Sequence, residues 1–217
     1  LLGGKIELVK RKENEHKAYE LSPKQVRRLF VEKGWSKVVG FHTRNVPHRG
    51  HEFVQLNALN EHNCDGLLIH PVIGKKKKGD FKAKYIIECY ENLISNYYPD
   101  DQVIFSSFAT FSRYGGPREA LFTAICRKNY GCSHFVIGRD HTGVGDYYHP
   151  YASHDIFEKF PDLDLKIIKI KNVVYAADTE NYRIEDDLSA KEQDPTWQIS
   201  GTKIREMILK GEEPPAW

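Results

Sequence analysis

The sequence predicts an α/β domain built on a mainly parallel sheet. Three observations carry that reading. Short apolar runs of strand length recur along the chain, stretches of roughly 10–18 residues with helical spacing lie between them, and loops rich in Gly, His and Arg follow the strands directly. In sheets of this kind ligands bind where strand carboxyl ends meet helix N-termini.

Lys37 to Phe41 (KVVGF) reads as a buried strand running into a loop. Phe53, Leu56 and Leu59 then follow Arg49-Gly50-His51 at helical spacing, which predicts a helix over 49–62. Gly66 to Val72 is the next strand. Ile86, Ile87, Tyr90, Leu93 and Ile94 form the stripe of a helix over 80–97 that Pro99 ends. Gln102 to Phe108 is a third strand, Pro117 to Tyr130 a helix with proline in its first turn, and His134 to Gly138 (HFVIG) a fourth strand. A helix near 153–160, a strand at 165–170, an extended Val173-Val174-Tyr175 and a helix over 201–209 complete the pattern. Residues 1–22 are charged and lack apolar periodicity, so they read as a linker or the remnant of a preceding domain, with the domain proper at 23–217. Both ends read as cut from a longer polypeptide.

Thirty-two Lys+Arg against 30 Asp+Glu leave a net charge of +2, which argues against a general nucleic-acid binder while leaving room for a local anion site. No apolar run approaches the ~20 residues needed to cross a bilayer, and no cationic stretch leads an apolar signal core. The expectation is a cytoplasmic protein with neither membrane nor nucleic-acid partner. Cys64, Cys89, Cys126 and Cys132 show no zinc-ligand spacing and read as buried thiols, and no resident metal is expected.

Three loops carry the candidate chemistry. Phe41 to His51 (FHTRNVPHRGH) hands a strand to a helix and sets His48 and His51 on one side of the first helical turn, above N–H groups that suit phosphate. Gly138 to Gly145 (GRDHTGVG) again follows a strand; its glycines let backbone approach a ligand, and Arg139 offers a fork of donors matched to an oxyanion. Ile199 to Arg205 (ISGTKIR) opens the last helix, where Ser200 or Thr202 caps it and its N–H groups face a phosphate. A lone histidine would read as a cap and a Gly-rich loop alone as a turn, but the full Arg-Asn-Pro-His-x-Gly-His string and the Arg, Asp and His of the second loop point to function. The third loop taken alone is an N-cap, and only the company of the other two makes it a third wall. Arg113 to Glu119 (RYGGPRE) is a fourth such turn, and Lys75 to Lys78 is a solvated lysine run.

Together HTRNVPHRGHE, RYGGPREA, RKNYGCSHFVIGRDHTGVGDYY and ISGTKIREML closely resemble the catalytic domain of the ATP sulfurylase (sulfate adenylyltransferase) family, within the nucleotidylyltransferase superfamily. The likeness runs from about Leu21 to Trp217. It implies a Rossmann-like parallel sheet with helices on both faces, preceded by a PUA-like domain whose last strand LLGGKIELV resembles. It also implies transfer of AMP from ATP to sulfate, giving adenosine 5′-phosphosulfate and pyrophosphate or the reverse, with Mg²⁺. The partners implied are ATP and sulfate or a related oxyanion, with homo-oligomers formed through flanking regions.

By the same resemblance His48 and His51 hold the triphosphate and stabilise the leaving pyrophosphate, and Asn45 approaches the phosphates. Thr43, Gly138, Asp140, His141, Gly143 and Ser200 join them around the nucleotide. His42, Arg44, Arg139 and Thr142 grip the oxyanion, and Arg44, Asn45, His48, His51 and Arg139 are the catalytic set. Position 42 is His where the family ordinarily has Gln, and position 142 is Thr where it ordinarily has Ala. His42 offers a second cation or a tautomer-dependent donor; Thr142 adds bulk and a hydroxyl that is a candidate further donor. Two rival readings stay open: a same-fold nucleotidyltransferase using another oxyanion acceptor, and a nucleotide-binding domain without turnover.

Overall fold

Ser22 opens the first helix, α1 (Pro23–Glu32). Its hydroxyl accepts from the Gln25 backbone while the Gln25 side chain accepts from the Ser22 backbone at 2.8 Å, so the two residues satisfy each other's free groups. The sequence reading placed no helix here, although Ser-Pro-x-Gln is a start signal. The computed structural model describes residues 4–5, 7, 9–10, 15–75, 78–139, 141–143, 147–177, 179–184, 196–198 and 201–217.

Alternation of strand and helix then follows the expected course through β1 (Val38–Thr43), α2 (Arg49–Glu61), β2 (Gly66–Pro71), α3 (Ala83–Tyr97), β3 (Val103–Phe105), α4 (Pro117–Tyr130), β4 (His134–Ile137) and β5 (Lys166–Lys169). The strands form a five-stranded sheet in the order β3-β2-β1-β4-β5, every pairing parallel. Order reverses between β1 and β4, where a crevice opens at the strands' carboxyl ends.

Side chains of β1 alternate between two layers. Val39 and Phe41 pack with Ala58 and Leu59 of α2 and Ile86 and Tyr90 of α3. On the opposite face Val38 packs with Val26 and Phe30 of α1 and Tyr130 of α4. Helices therefore cover both faces, as a Rossmann-like sheet requires. Gly40 lies on the α4 face, where a Cβ would stand 2.9 Å from Arg127 Cγ and 3.1 Å from Cys132 Sγ, so a larger residue would displace that arginine.

The structure differs from the sequence reading at four places. The third strand is short, and Phe108 rejoins the sheet only as an isolated bridge to Val72. Helix α3 begins at Ala83 because Asp80 turns inward to meet arginines. Over 153–160 a short helix, α5 (Ala152–Asp155), gives way to a 3₁₀ turn (Ile156–Lys159), since Pro161 pushes Phe160 out of helical geometry to φ −133°. Beyond β5, β6 (Val173–Ala176) pairs antiparallel with β7 (Asn181–Ile184) and β8 (Thr196–Gln198), two strands too short to register as periodic. The last helix, α6 (Gly201–Lys210), lies where expected.

Within the segment expected to be a linker, the Tyr19 carbonyl accepts from Ser107 N at 2.7 Å and its hydroxyl donates to Glu91 at 2.6 Å. Cys64 and Cys132 are buried thiols as read, but Cys126 is only half-buried and Cys89 is exposed on α3. No described helix is long and apolar enough to cross a membrane.

Candidate active site

Two loops meet at the switch point around a crevice of about 410 Å³. From β1 and the loop to α2 come His42, Thr43, Arg44, Asn45, His48 and His51; from the loop after β4 come Gly138, Arg139, His141 and Thr142. Gly201 of α6 adds the third wall. Gly143 is buried and does not line the crevice, while Asp140, Gly145, Ile199 and Ser200 lie outside the described residues.

On one side His48 occupies the cap position of α2 in extended geometry, and its carbonyl accepts from His51 N at 2.8 Å. The two imidazoles stand 3.8 Å apart between centroids, and the Nδ1 of each is buried without a partner among the described residues. Burial, and then the neighbouring His51, push His48 down to about 2; burial alone takes His51 to about 4. Both rings are therefore neutral donors or acceptors at the positive end of a helix, where an anion is favoured. Asn45 is fixed beside them, its N–H donating to Thr43 Oγ1 at 3.1 Å and its Oδ1 accepting from Arg205 at 3.3 Å.

On the other side Arg44 lies over the Tyr114 ring, 5.3 Å from its centroid, with Nε 3.9 Å from Asp80. Asp80 is 1% exposed, also faces Arg205 at 4.0 Å, and accepts from the Tyr114 hydroxyl at 2.6 Å. The RYGGPRE turn thus reaches the crevice through Tyr114. Its shape is set by Glu119, whose carboxylate accepts from the Arg113 and Gly115 backbones at 2.9 Å each.

Beneath Arg44 and Arg139 lies a hydrogen-bonded floor. His42 Nδ1 is 2.8 Å from Arg127 Nη2, and the His42 and His141 rings stand 5.4 Å apart. Thr123 spends its hydroxyl proton on Ala120 O at 2.9 Å, so its oxygen accepts from His141 Nε2 at 3.3 Å. Burial first, and then the Arg127 charge, lower His42 well below the usual histidine range and His141 to about 3. Both shifts disfavour the imidazolium, and the Arg127 donor 2.8 Å from His42 Nδ1 asks for a lone pair on that nitrogen, which speaks for the tautomer-dependent donor rather than the second cation. Thr142 holds a positive φ of 56°, unusual for a β-branched residue, and its hydroxyl donates to His141 O at 2.7 Å with Gly116 O at 3.4 Å. That proton is committed to backbone, so Thr142 adds no side-chain donor to the pocket.

Tyr114 and Arg205 lie in stretches that the sequence singled out without giving either residue a role, whereas Asp80 and Arg127 were assigned no part in the site. Arg127 alone left a signal: it continues the buried stripe of Ala120, Thr123 and Ala124 on α4, a charge at a core position. The described residues contain no group of three or more His, Cys, Asp or Glu side chains able to hold a metal.

A family model described as ATP-sulfurylase matches residues 17–217. The chain belongs to the ATP-sulfurylase family. The sulfate adenylyltransferase of Pyrococcus abyssi is 46% identical over 217 residues, which is 100% of this chain and 56% of that protein. That of Thermococcus onnurineus shows the same identity and coverage. A probable bifunctional SAT/APS kinase 2 of Sorangium cellulosum is 43% identical over 99% of this chain and 37% of its own length. The chain spans about half the length of the curated sulfate adenylyltransferases it matches. Among solved structures, a hexameric APS kinase from Thiobacillus denitrificans superposes with a TM-score of 0.74 over 95% of this chain and 38% of that one, at 20% identity, a likeness of fold.

Proposed function

We propose that the crevice binds ATP and sulfate side by side and joins them, giving adenosine 5′-phosphosulfate and pyrophosphate, or runs the same reaction in reverse. What carries the reading is the convergence of Arg44, Arg139, His42, His48 and His51 on one crevice, in a member of the ATP-sulfurylase family whose relatives are named sulfate adenylyltransferase.

A sulfate oxygen attacks the α-phosphorus in line, the bond to the β-bridging oxygen breaks, and pyrophosphate leaves. Sulfate is a weak nucleophile and no covalent enzyme intermediate is needed, so acceleration comes from placement and charge. Arg44 and Arg139 hold the sulfate by charge-assisted bonds worth about 1.5–3 kcal/mol each. His48 and His51, with the α2 N-terminus, meet the charge that grows on the leaving pyrophosphate.

Mg²⁺ belongs to this reading as an ion carried on the ATP phosphates. The Asp80 carboxylate beside the crevice faces Arg44 and Arg205, and the described residues include no group of three or more His, Cys, Asp or Glu able to hold a metal. The cytoplasm, where ATP is at hand, is the location that goes with it. The experiment is pyrophosphate release from ATP and Mg²⁺ with and without sulfate. Release that depends on sulfate supports the proposal; release with another oxyanion alone in an acceptor panel would hand the site to a different nucleotidyltransferase.

A further inference from the structure

His42 sits on the face of β1 that turns toward α4, and beneath it runs Arg127, a side chain with no solvent exposure. Gly40 leaves the space it occupies. No carboxylate among the described residues lies within ion-pair distance of this guanidinium. Instead Nη2 reaches the His70 carbonyl at 2.7 Å and His42 Nδ1 at 2.8 Å, and Cζ stands 4.5 Å from the centre of the Phe108 ring. An arginine donates and never accepts. The ring nitrogen facing it must therefore present a lone pair, and the imidazole proton must reside on Nε2. That nitrogen makes no hydrogen bond to any described residue, and its ring lines the crevice with Arg44 and Arg139.

We propose that Arg127 is a positioning residue that locks His42 as its Nε2–H tautomer, so that the acceptor pocket meets its oxyanion with a neutral N–H donor beside two guanidinium groups. The chemistry of the acceptor rests on the function proposed above; the tautomer does not. Every charged or titratable group packed around His42 works in the same direction: Arg127 from α4, His70 from β2, His141 from the loop after β4, and Arg44 from the loop after β1. All disfavour the imidazolium, so the donor stays neutral through physiological pH. A nitrogen that can only donate suits an oxygen that can only accept. Every oxygen of sulfate is of that kind at neutral pH, whereas one oxygen of hydrogen phosphate carries a hydrogen and gains nothing from a neighbour that can only donate. Arg127 in this way favours a fully deprotonated acceptor at this corner of the pocket.

Long-range ¹H–¹⁵N spectra of the histidine-labelled protein read the tautomer directly. A single Nε2–H form of His42, unchanged between about pH 6 and 8, is expected; a protonated Nδ1, or an imidazolium at neutral pH, overturns the proposal. Arg127→Met removes the lock. The KM for sulfate should rise about 10- to 100-fold with the KM for ATP moving less than about threefold, and the sulfate KM should gain a pH dependence that the unmodified protein lacks. An unchanged sulfate KM and pH profile would contradict the assignment. If Arg127→Met does not fold, the spectra of the unmodified protein still decide. A correct tautomer without sulfate-dependent pyrophosphate release would defeat the proposed function and leave this inference standing; turnover with a protonated Nδ1 would do the reverse.

Discussion

The two halves of the crevice are built on opposite principles. On the proposed acceptor side most of the side chains have protein partners: His42 has Arg127, His141 has Thr123 and Thr142 has backbone carbonyls, while Arg44 lies between Asp80 and Tyr114 with its Nε in a long ion pair and no hydrogen bond among the described residues. On the phosphate side His48 and His51 crowd together at a helix N-terminus, each with a buried nitrogen that no described residue satisfies. His42, His141 and Thr142 are thus positioned by the protein itself, which suits the small tetrahedral ion of the proposed function. The second half leaves hydrogen-bonding capacity unmet, which the proposed function assigns to a triphosphate, and buried polar groups without partners cost about 1–3 kcal/mol each in the meantime. Preorganisation and unmet demand thus sit within one pocket.

The sharpest way to break this comparison is to remove one member from each half. Arg44→Ala or Arg139→Ala should lower sulfate-dependent turnover by about 10²–10³-fold, the usual loss when one preorganised donor is removed; a fall below tenfold in either variant would remove that arginine from the acceptor site. His48→Ala should cost a similar factor in turnover, but its unfolding free energy should change little or rise, because a buried nitrogen without a partner disappears with it. Urea unfolding compared with the unmodified protein checks this, and a large destabilisation would mean that His48 is structural.

Asp80→Ala comes next in size. It strips the buried carboxylate from between Arg44 and Arg205 and from the Tyr114 hydroxyl, and breaking a buried pair costs about 3–5 kcal/mol. At 3.9 and 4.0 Å these ion pairs are long, so the lower end is expected, with sulfate turnover falling as Arg44 loses its anchor.

The smallest effect is pH-dependent. A histidine whose folded pKa lies below its unfolded value of about 6.5 takes up its proton first in the unfolded chain. Stability is then fully present above that pH and is lost as pH falls toward the folded values of about 4 for His51, about 3 for His141 and about 2 for His48. Each contributes a slope of at most about 1.4 kcal/mol per pH unit. The urea midpoint should drop between pH 7 and 5, and less steeply in His51→Gln; equal slopes would remove His51 from the set.

Much of the crevice was legible in the chain because short loops directly after β1 and β4 deliver most of it. His42 to His51 and Gly138 to Thr142 are contiguous, and a parallel sheet brings strand ends together without further information. What stayed hidden comes from residues whose partners are remote in sequence. Asp80 meets Arg44 and Arg205, and Arg127 meets His42 across 85 positions, pairings that no local period encodes. The committed proton of Thr142 was equally unreadable, since it depends on where the Gly116 and His141 carbonyls lie.

Titration of a non-hydrolysable ATP analogue into the unmodified protein and into Arg44→Ala, Arg139→Ala, His48→Ala and His51→Ala tests the division of the crevice most directly. The two arginine variants should bind it within about threefold of the unmodified protein, and the two histidine variants about tenfold or more weakly. Equal losses of nucleotide affinity in all four would contradict the account.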